Sequence, residues 1–302
     1  MSKSIEMTAV TPPKSSDLAQ LVVLAAIWAS AFQAIKIAVF DVGPLFIVFA
    51  RVAIGSLALL PWALWRGLIL PRGQTQWLQV AGLAILSTMV PFFLISWGEL
   101  SITSAETALL LGTGPLVALI LSHFFTLDDR LNAKKVAAVA VGFTGVVLLI
   151  GPNVLGSIGN EITAQLAVLL ASFCYVSSGL LVRRIQGIPP TRLSFLVLAF
   201  STIALLPIVV AAGAIPTTMQ QSTLLALIYL GLFPTGLAYI LRYSLVRRIG
   251  LSMFAHVGNL IPVFGVAFGA ILLGEVITTE KWVALGFILI ALAIARWGAN
   301  QQ

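Results

Sequence analysis

LAQLVVLAAIWASAFQAIKIAVFDVGPLFIVFARVAIGSLALLPWALWR, residues 18–66, carries four charged side chains in 49 positions: Lys36, Asp41, Arg51 and Arg66. An α-helix rises about 1.5 Å per residue, so a hydrocarbon core ~30 Å thick takes roughly 20 apolar residues. The stretch therefore holds two crossings, 18–38 and 44–66. Eight further runs reach that length: 75–98, 103–125, 132–150, 161–182, 193–212, 221–243, 251–273 and 281–297. Ten spans of ~20 residues use about two thirds of the chain and leave short connections, with no room for a soluble domain. The expected fold is an all-α polytopic membrane protein with ten transmembrane helices.

Composition agrees. Of 302 residues 60% are hydrophobic and 9% charged, with a mean hydropathy of +1.07, where soluble domains are about 25% charged. A disordered chain needs low hydrophobicity and many charges, and outer-membrane barrels show short alternating segments. A single Cys174 excludes a disulfide framework and a thiolate-rich metal or iron–sulfur site. The net charge of +7 does not mark a nucleic-acid partner, because that needs a basic stripe on a water-soluble body. Residues 1–17 lack the short apolar core and small-residue cleavage site of a secretory signal, so the first span reads as an uncleaved signal-anchor.

The excess charge is an orientation signal. Assigning the connections to alternate sides puts 14 of the 17 basic residues with the N-terminus, from Lys3 to Arg296. The other side receives Lys36 and Lys281, and Arg51 falls inside the second span. Lys and Arg in short loops stay cytoplasmic. The tails 1–17 and 298–302 are thus expected in the cytoplasm, with the chain integral to the plasma (bacterial inner) membrane.

The chain also resembles itself. Shifted by 147 positions, Trp28 meets Tyr175, Ser30 meets Ser177, Lys36 meets Arg183, Pro115 meets Pro262, Asp128 meets Glu275 and Lys134 meets Lys281. In the third and eighth spans the match slips by a few residues and brings Pro91 near Pro234. The repeats are 18–151 and 161–297. Each holds five spans, an odd number, so the second enters the bilayer from the opposite face. That makes two inverted five-helix repeats, which supply mirror-related states and hence alternating access around a midplane site.

Trp28-Ala29-Ser30-Ala31-Phe32 resembles the Trp-Gly-Ser-x-Phe opening of the EamA-type members of the drug/metabolite transporter superfamily. Ala105 to Pro115, followed by the acidic–basic turn Asp128-Asp129-Arg130, is similar to that family's fourth span and its exit. Ser252 to Glu275 resembles the counterpart in the second half. Three positions depart: Ala29 replaces the usual Gly, Asp129 stands where Glu is commoner, and Val276 replaces a basic residue. The resemblance implies export of small metabolites from the cytoplasm, with amino acids the leading class. Within the family the chain looks most like the aromatic and broad-range amino-acid exporters. It further implies a central cavity lined by the first, third, fourth, sixth, eighth and ninth spans.

Polar and aromatic outliers fall in those spans. Trp28 and Phe32 share a helical face, as do Tyr175, Ser178 and Gly179; the third span carries Phe93 and Trp97. The eighth has Thr235, Tyr239 and Arg242 at i, i+4 and i+7, with Tyr243 adjacent; the ninth has His256, Asn259 and Val263. Aromatic walls with a few polar groups suit a zwitterion with an apolar side chain. The candidate substrate-binding set is Trp28, Phe32, Trp97, Tyr175, Ser178, Tyr239, Tyr243, His256 and Asn259. Trp62, Trp65, Trp77, Trp282 and Trp297 lie near span ends and read as interfacial anchors, a role that fits Trp97 equally well. Serine in membrane helices commonly bonds its own backbone or a neighbouring helix, the competing reading for Ser178.

Ionisable groups inside a membrane default to function. Because the resemblance makes the second span peripheral, Arg51 is expected to pair with an acidic group or carbonyl ends, Asp41 being a candidate. Glu99 and Glu106 flank the third-to-fourth connection; Glu106 fits either a hydrated loop or the outward mouth, in line with Leu110 and Thr113. The candidate coupling groups are Glu106, His256 and Arg242; His123 reads as structural. Gly112, Gly114 and Pro115, matched by Gly258 and Pro262, are expected to interrupt equivalent helices at mid-depth, kinking them and permitting close packing.

Other classes fit less well. Asp128-Asp129 is an acidic pair, but Mg²⁺ chemistry needs several converging carboxylates with phosphate, and no second cluster shares that side. H-E-x-x-H, G-x-S-x-G and phosphate-binding Gly-rich Lys motifs are absent from the sequence. The expectation is therefore no enzyme, no metal and no cofactor. A channel predicts rings of like charge or carbonyls, which the pattern lacks. The expected partners are a small-molecule solute and the lipid bilayer; the sequence carries no signal for an oligomeric state.

Overall fold

Gly43 divides the first helical stretch. In the computed structural model, α1 (Ser15–Trp65) runs 51 residues, about 76 Å if straight and more than twice a bilayer core. Inside it Gly43 alone has a non-helical backbone, φ 74° and ψ 161°, a left-handed φ that a Cβ would strain. Pro44 follows, a residue that cannot donate to the preceding turn. The structure describes residues 14–125, 132–151, 159–182, 185, 187–242, 245, 248–249 and 256–299. Tyr243, the turn at 128–130 and the greater part of both tails lie outside them.

The third stretch is α2 (Gly73–Ala84), a π-helical segment at Ile85–Met89, and α3 (Val90–Gly98). α4 (Ser104–Leu111) and α5 (Gly114–Phe125) are separated at Gly112 and Thr113. α6 (Ala133–Ile150), α7 (Asn160–Val182) and α8 (Pro190–Ala211) follow. α9 (Gln221–Leu230) passes through a second π-helical segment, Gly231–Leu237, and continues to Arg242. α10 (His256–Leu273) and α11 (Thr279–Ala299) complete the chain. The described residues contain no strand, and seven of their helices are long and apolar enough to cross a membrane. Leu57, Val147, Ile203 and Ile271 turn outward and are largely exposed, a surface that suits lipid. The protein is an all-helical integral membrane protein.

Glycine sets the closest helix contacts. A Cβ on Gly142 of α6 would stand 2.0 Å from Leu116 Cδ1 and 3.2 Å from Ala291 Cβ, and one on Gly145 would stand 2.7 Å from Phe287 Cβ. α6 and α11 can therefore approach only because these positions lack side chains. The same holds where α4 ends. A Cβ on Gly112 would lie 2.2 Å from Pro262 Cγ, so the proline ring fills the space that Gly112 leaves. The break expected in both halves is present only here. α10 runs unbroken through Gly258 and Pro262, and Pro262, already seated against Gly112, is accommodated inside a continuous helix.

Candidate functional site

Arg51 lies eight residues beyond Gly43 in α1, about 12 Å along the helix, and is 4% exposed. Its guanidinium carbon sits 3.6 Å from the centroid of Phe92, on the first turn of α3. Its Nε donates to Thr235 Oγ1 at 3.3 Å. Thr235 belongs to the second π-helical segment, and its hydroxyl donates in turn to the Leu230 carbonyl at 2.8 Å. Close approach of two glycines makes this meeting possible. A Cβ on Gly55 would be 2.8 Å from Thr235 Cγ2, and one on Gly231 would be 2.4 Å from Ile54 Cβ.

Tyr175 of α7 meets Phe92 edge to face, ring centroids 6.4 Å apart. Tyr175, Tyr239 and Glu99 are the ionisable groups around the guanidinium. Among the described residues no carboxylate forms an ion pair with Arg51, whose hydrogen bond to Thr235 leaves from Nε and not from the Nη groups. The expected pairing with Asp41 does not form: Asp41 Oδ2 accepts from the Gln220 backbone at 2.9 Å and pins the bend at Gly43 to the start of α9. A stacked, desolvated guanidinium that no carboxylate of the described residues pairs with is suited to receive one.

The other sequence candidates scatter more widely. Phe32 is buried in the apolar cluster against which Tyr175 also packs, with Ala108 and Leu230. Trp28 is half-buried in the middle of the first span, packed against the cluster of Leu24, Leu245 and Val257 and away from the one that holds Phe32. Tyr239 lines a small cavity of about 10 Å³ with Leu59, Trp62 and Ser194. Asn259 and Arg242 are half-buried, and Trp97 is 38% exposed. The Ser178 hydroxyl donates to the Tyr175 carbonyl at 2.7 Å, a local backbone bond. For His256 only the backbone at the start of α10 is described. The structure thus gathers Tyr175 and Tyr239 around Arg51 and leaves Trp97 apart.

Sequence reasoning missed Phe92 and the polar contacts of three side chains, Gln33, Ser30 and Tyr229. Gln33 is buried, donating to Ser104 Oγ at 3.0 Å and the Gly265 carbonyl at 3.2 Å, while its Oε1 has no partner among the described residues. Ser30 and Tyr229 share a 2.5 Å hydroxyl contact across the first and eighth spans. Arg51 itself carried the usable signal, a cation deep in an apolar run.

At the end of the bundle that carries Lys36, charge closes the structure. Glu275 accepts from the Ser104 and Ala105 backbones at 2.8 and 3.0 Å and caps α4 from another segment. Thr103 and Glu106 complete a reciprocal cap on that helix. Glu106, which the sequence allowed to face an open mouth, pairs with Lys281 at 3.2 Å. That pair links α4 to α11, and Lys36 Nζ donates to the Glu99 and Ile102 carbonyls at 2.6 and 2.9 Å. At the opposite end a groove of about 380 Å³ lies between α1 and α8, lined by Trp62, Arg66, Pro189, Thr191 and Arg192. Trp62 and Thr191 border both this groove and the Tyr239 cavity. No group of three or more metal-ligating side chains occurs among the described residues.

Comparison with known proteins supplies the family. The model of the EamA-like transporter family matches twice, over residues 18–151 and 162–297. A protein of Archaeoglobus fulgidus, named "Uncharacterized transporter", is 27% identical over 281 residues, covering 91% of this chain and 95% of its own. One of Streptantibioticus cattleyicolor, named "Probable terminal-alkyne amino-acid exporter", is 24% identical and covers 85% of each chain. A solved structure titled "Crystal structure of protein" superposes with a TM-score of 0.67 at 19% identity, covering 96% of this chain and 100% of the other. The two family matches together take in nearly the whole length, so the chain belongs to the EamA-like transporter family, as a membrane transporter.

Proposed function

We propose that this chain is an alternating-access exporter of amino acids and related small metabolites, with aromatic and other neutral amino acids favoured. It works in the bacterial inner membrane with both termini cytoplasmic. The observation that carries the reading is Arg51, a buried guanidinium without a carboxylate partner among the described residues, stacked on Phe92 and faced by Tyr175 and Tyr239. A substrate carboxylate would take the Nη donors, and the rings would wall its side chain. The 24% identical relative named as an amino-acid exporter supports the class.

The architecture in this reading is ten spans in two inverted repeats, 18–151 and 161–297. Two features support it. π-helical segments recur in the third and eighth spans, near Pro91 and at Pro234. Between the fourth and ninth spans a glycine faces a proline twice: Gly112 against Pro262, and Gly258, whose Cβ would lie 3.6 Å from Pro115 Cγ. The structure is closed by charge at the Lys36 end and grooved at the end carrying Arg66 and Arg192, as an inward-leaning state would be. Substrate enters past Trp62 and Tyr239 toward Arg51. Ser178, Asn259 and Trp28 line the path; Gly112, Gly114 and Pro115 supply the hinge.

The test is release from cells. Cells overproducing the protein are loaded with single amino acids by dipeptide feeding, and the medium is assayed. Faster release of phenylalanine and other neutral amino acids than from vector controls is expected. No acceleration across a broad amino-acid panel would defeat the substrate class.

A further inference from the structure

Glu99 caps α3, one residue beyond the Gly73–Gly98 span, and is completely buried. Among the described residues neither carboxyl oxygen has a partner in hydrogen-bonding geometry. This is the reverse of how the neighbouring carboxylates are treated, since Glu275 accepts two backbone N–H groups and Glu106 holds Lys281. The Thr107 hydroxyl of α4 faces Glu99 but donates to the Thr103 carbonyl at 3.1 Å. Lys36, the nearest cation, is engaged by the Glu99 and Ile102 backbone carbonyls and not by the carboxyl.

An ionised carboxylate enclosed without donors is far costlier than the neutral acid. Burial pushes the Glu99 carboxyl well above the usual carboxylate range; Lys36 opposes this, Glu275 reinforces it, and the facing Thr107 hydroxyl and then Arg51 oppose it more weakly. α7 packs against Gly98 through Ala164 and Val168, and its titratable groups are Glu161, exposed at its start, Cys174 and Tyr175. The charged groups facing Glu99 are therefore Lys36 and Arg51 from α1 and Glu275 from the α10–α11 connection. The enclosed geometry belongs to the neutral acid.

We propose that Glu99 is a proton-binding site whose occupancy closes the Lys36 end of the transporter. With the proton bound, the neutral carboxyl tolerates its dry enclosure, and Lys36 is left on the two carbonyls that tie α1 to the turn at 99–102. When the proton leaves, the anion must gain water or a donor, which requires the enclosing segments to part. It also draws the Lys36 ammonium off those carbonyls. The closed form binds the proton more tightly, so closure holds at low pH and is lost as pH rises through the raised value. This inference rests on the alternating-access reading, but its readout needs no substrate.

The test places a reporter thiol at buried Ile102 (Ile102→Cys) in a Cys174→Ala protein reconstituted in liposomes. An impermeant thiol reagent is added from about pH 5 to about pH 8, and rates are divided by those of the exposed reference Ser101→Cys to remove thiol ionisation. Normalised labelling is expected to rise with pH, approaching tenfold per unit in its steepest part. Glu99→Gln keeps the shape of the neutral acid and should label slowly throughout. Glu99→Asp keeps a titratable group and should retain a pH-dependent rise. A Glu99→Gln protein that follows the parent's pH profile, or a parent whose profile is flat, overturns the proposal. A failed amino-acid panel combined with this pH profile would remove only the substrate class.

Discussion

Replacing Arg51 by Gln tests whether its guanidinium reads a carboxylate or merely props up helices. One donor, Nε, is spent on Thr235 at 3.3 Å, leaving the Nη pair for a ligand. A hydrogen bond to a charged partner contributes about 1.5–3 kcal/mol, so losing even one bond weakens binding roughly 10- to 150-fold. The change should depend on the ligand. Phenylalanine has the carboxylate, whereas phenethylamine has the same ring and ammonium without it. For wild type, phenylalanine should bind far more tightly, because the amine brings a second cation toward Arg51. In Arg51→Gln the phenylalanine affinity should fall by that factor while the amine is unchanged or improved. Equilibrium binding to purified protein measures both. An equal loss for the two ligands, or an unchanged ratio, would refute the carboxylate assignment and leave Arg51 a packing residue. Arg51→Lys keeps the charge but not the planar fork, and should fall between.

Gly112→Ala would set a methyl 2.2 Å from Pro262 Cγ; overpacking of this kind costs about 1–3 kcal/mol, seen as a lower melting temperature in detergent. The same change in a Pro262→Ala background should cost less, since the opposing ring is gone. Lys281→Met leaves Glu106 without its 3.2 Å partner and should lower stability by about 0.5–3 kcal/mol, with most of the loss absent when Glu106→Gln is made as well. Tyr175→Ala and Trp28→Ala should each slow transport of aromatic amino acids; wild-type rates in both would show the aromatic lining to be misplaced.

The apolar run lengths made the helices legible, because crossing a bilayer constrains length more tightly than any soluble fold does. The rotation of each helix was not legible. α1 is apolar on every face, so nothing in the pattern around Arg51 says whether it points to lipid, to Asp41 or to Phe92. Only the close contact of Gly55 with the π-helical segment aims it at Thr235. The same limit explains Gly112 and Pro262. Both were visible as helix-perturbing residues, but which of them breaks its helix depends on the other filling its gap. Tyr175 stands out in the sequence as an aromatic hydroxyl in mid-span, and Tyr239 through its i, i+4, i+7 spacing with Thr235 and Arg242, whereas Tyr229 of the same span has no such partners in the pattern. Ser178 was a weaker guide, since its hydroxyl is satisfied within its own turn.

Counterflow in proteoliposomes tests the central claim most directly. Vesicles holding the purified protein are loaded with unlabelled phenylalanine and diluted into a trace of labelled phenylalanine. A carrier that exposes one site alternately to each side must give a transient overshoot of label inside. Wild type is expected to give that overshoot and Arg51→Gln almost none. No overshoot with any amino acid, in protein that remains folded, would contradict it.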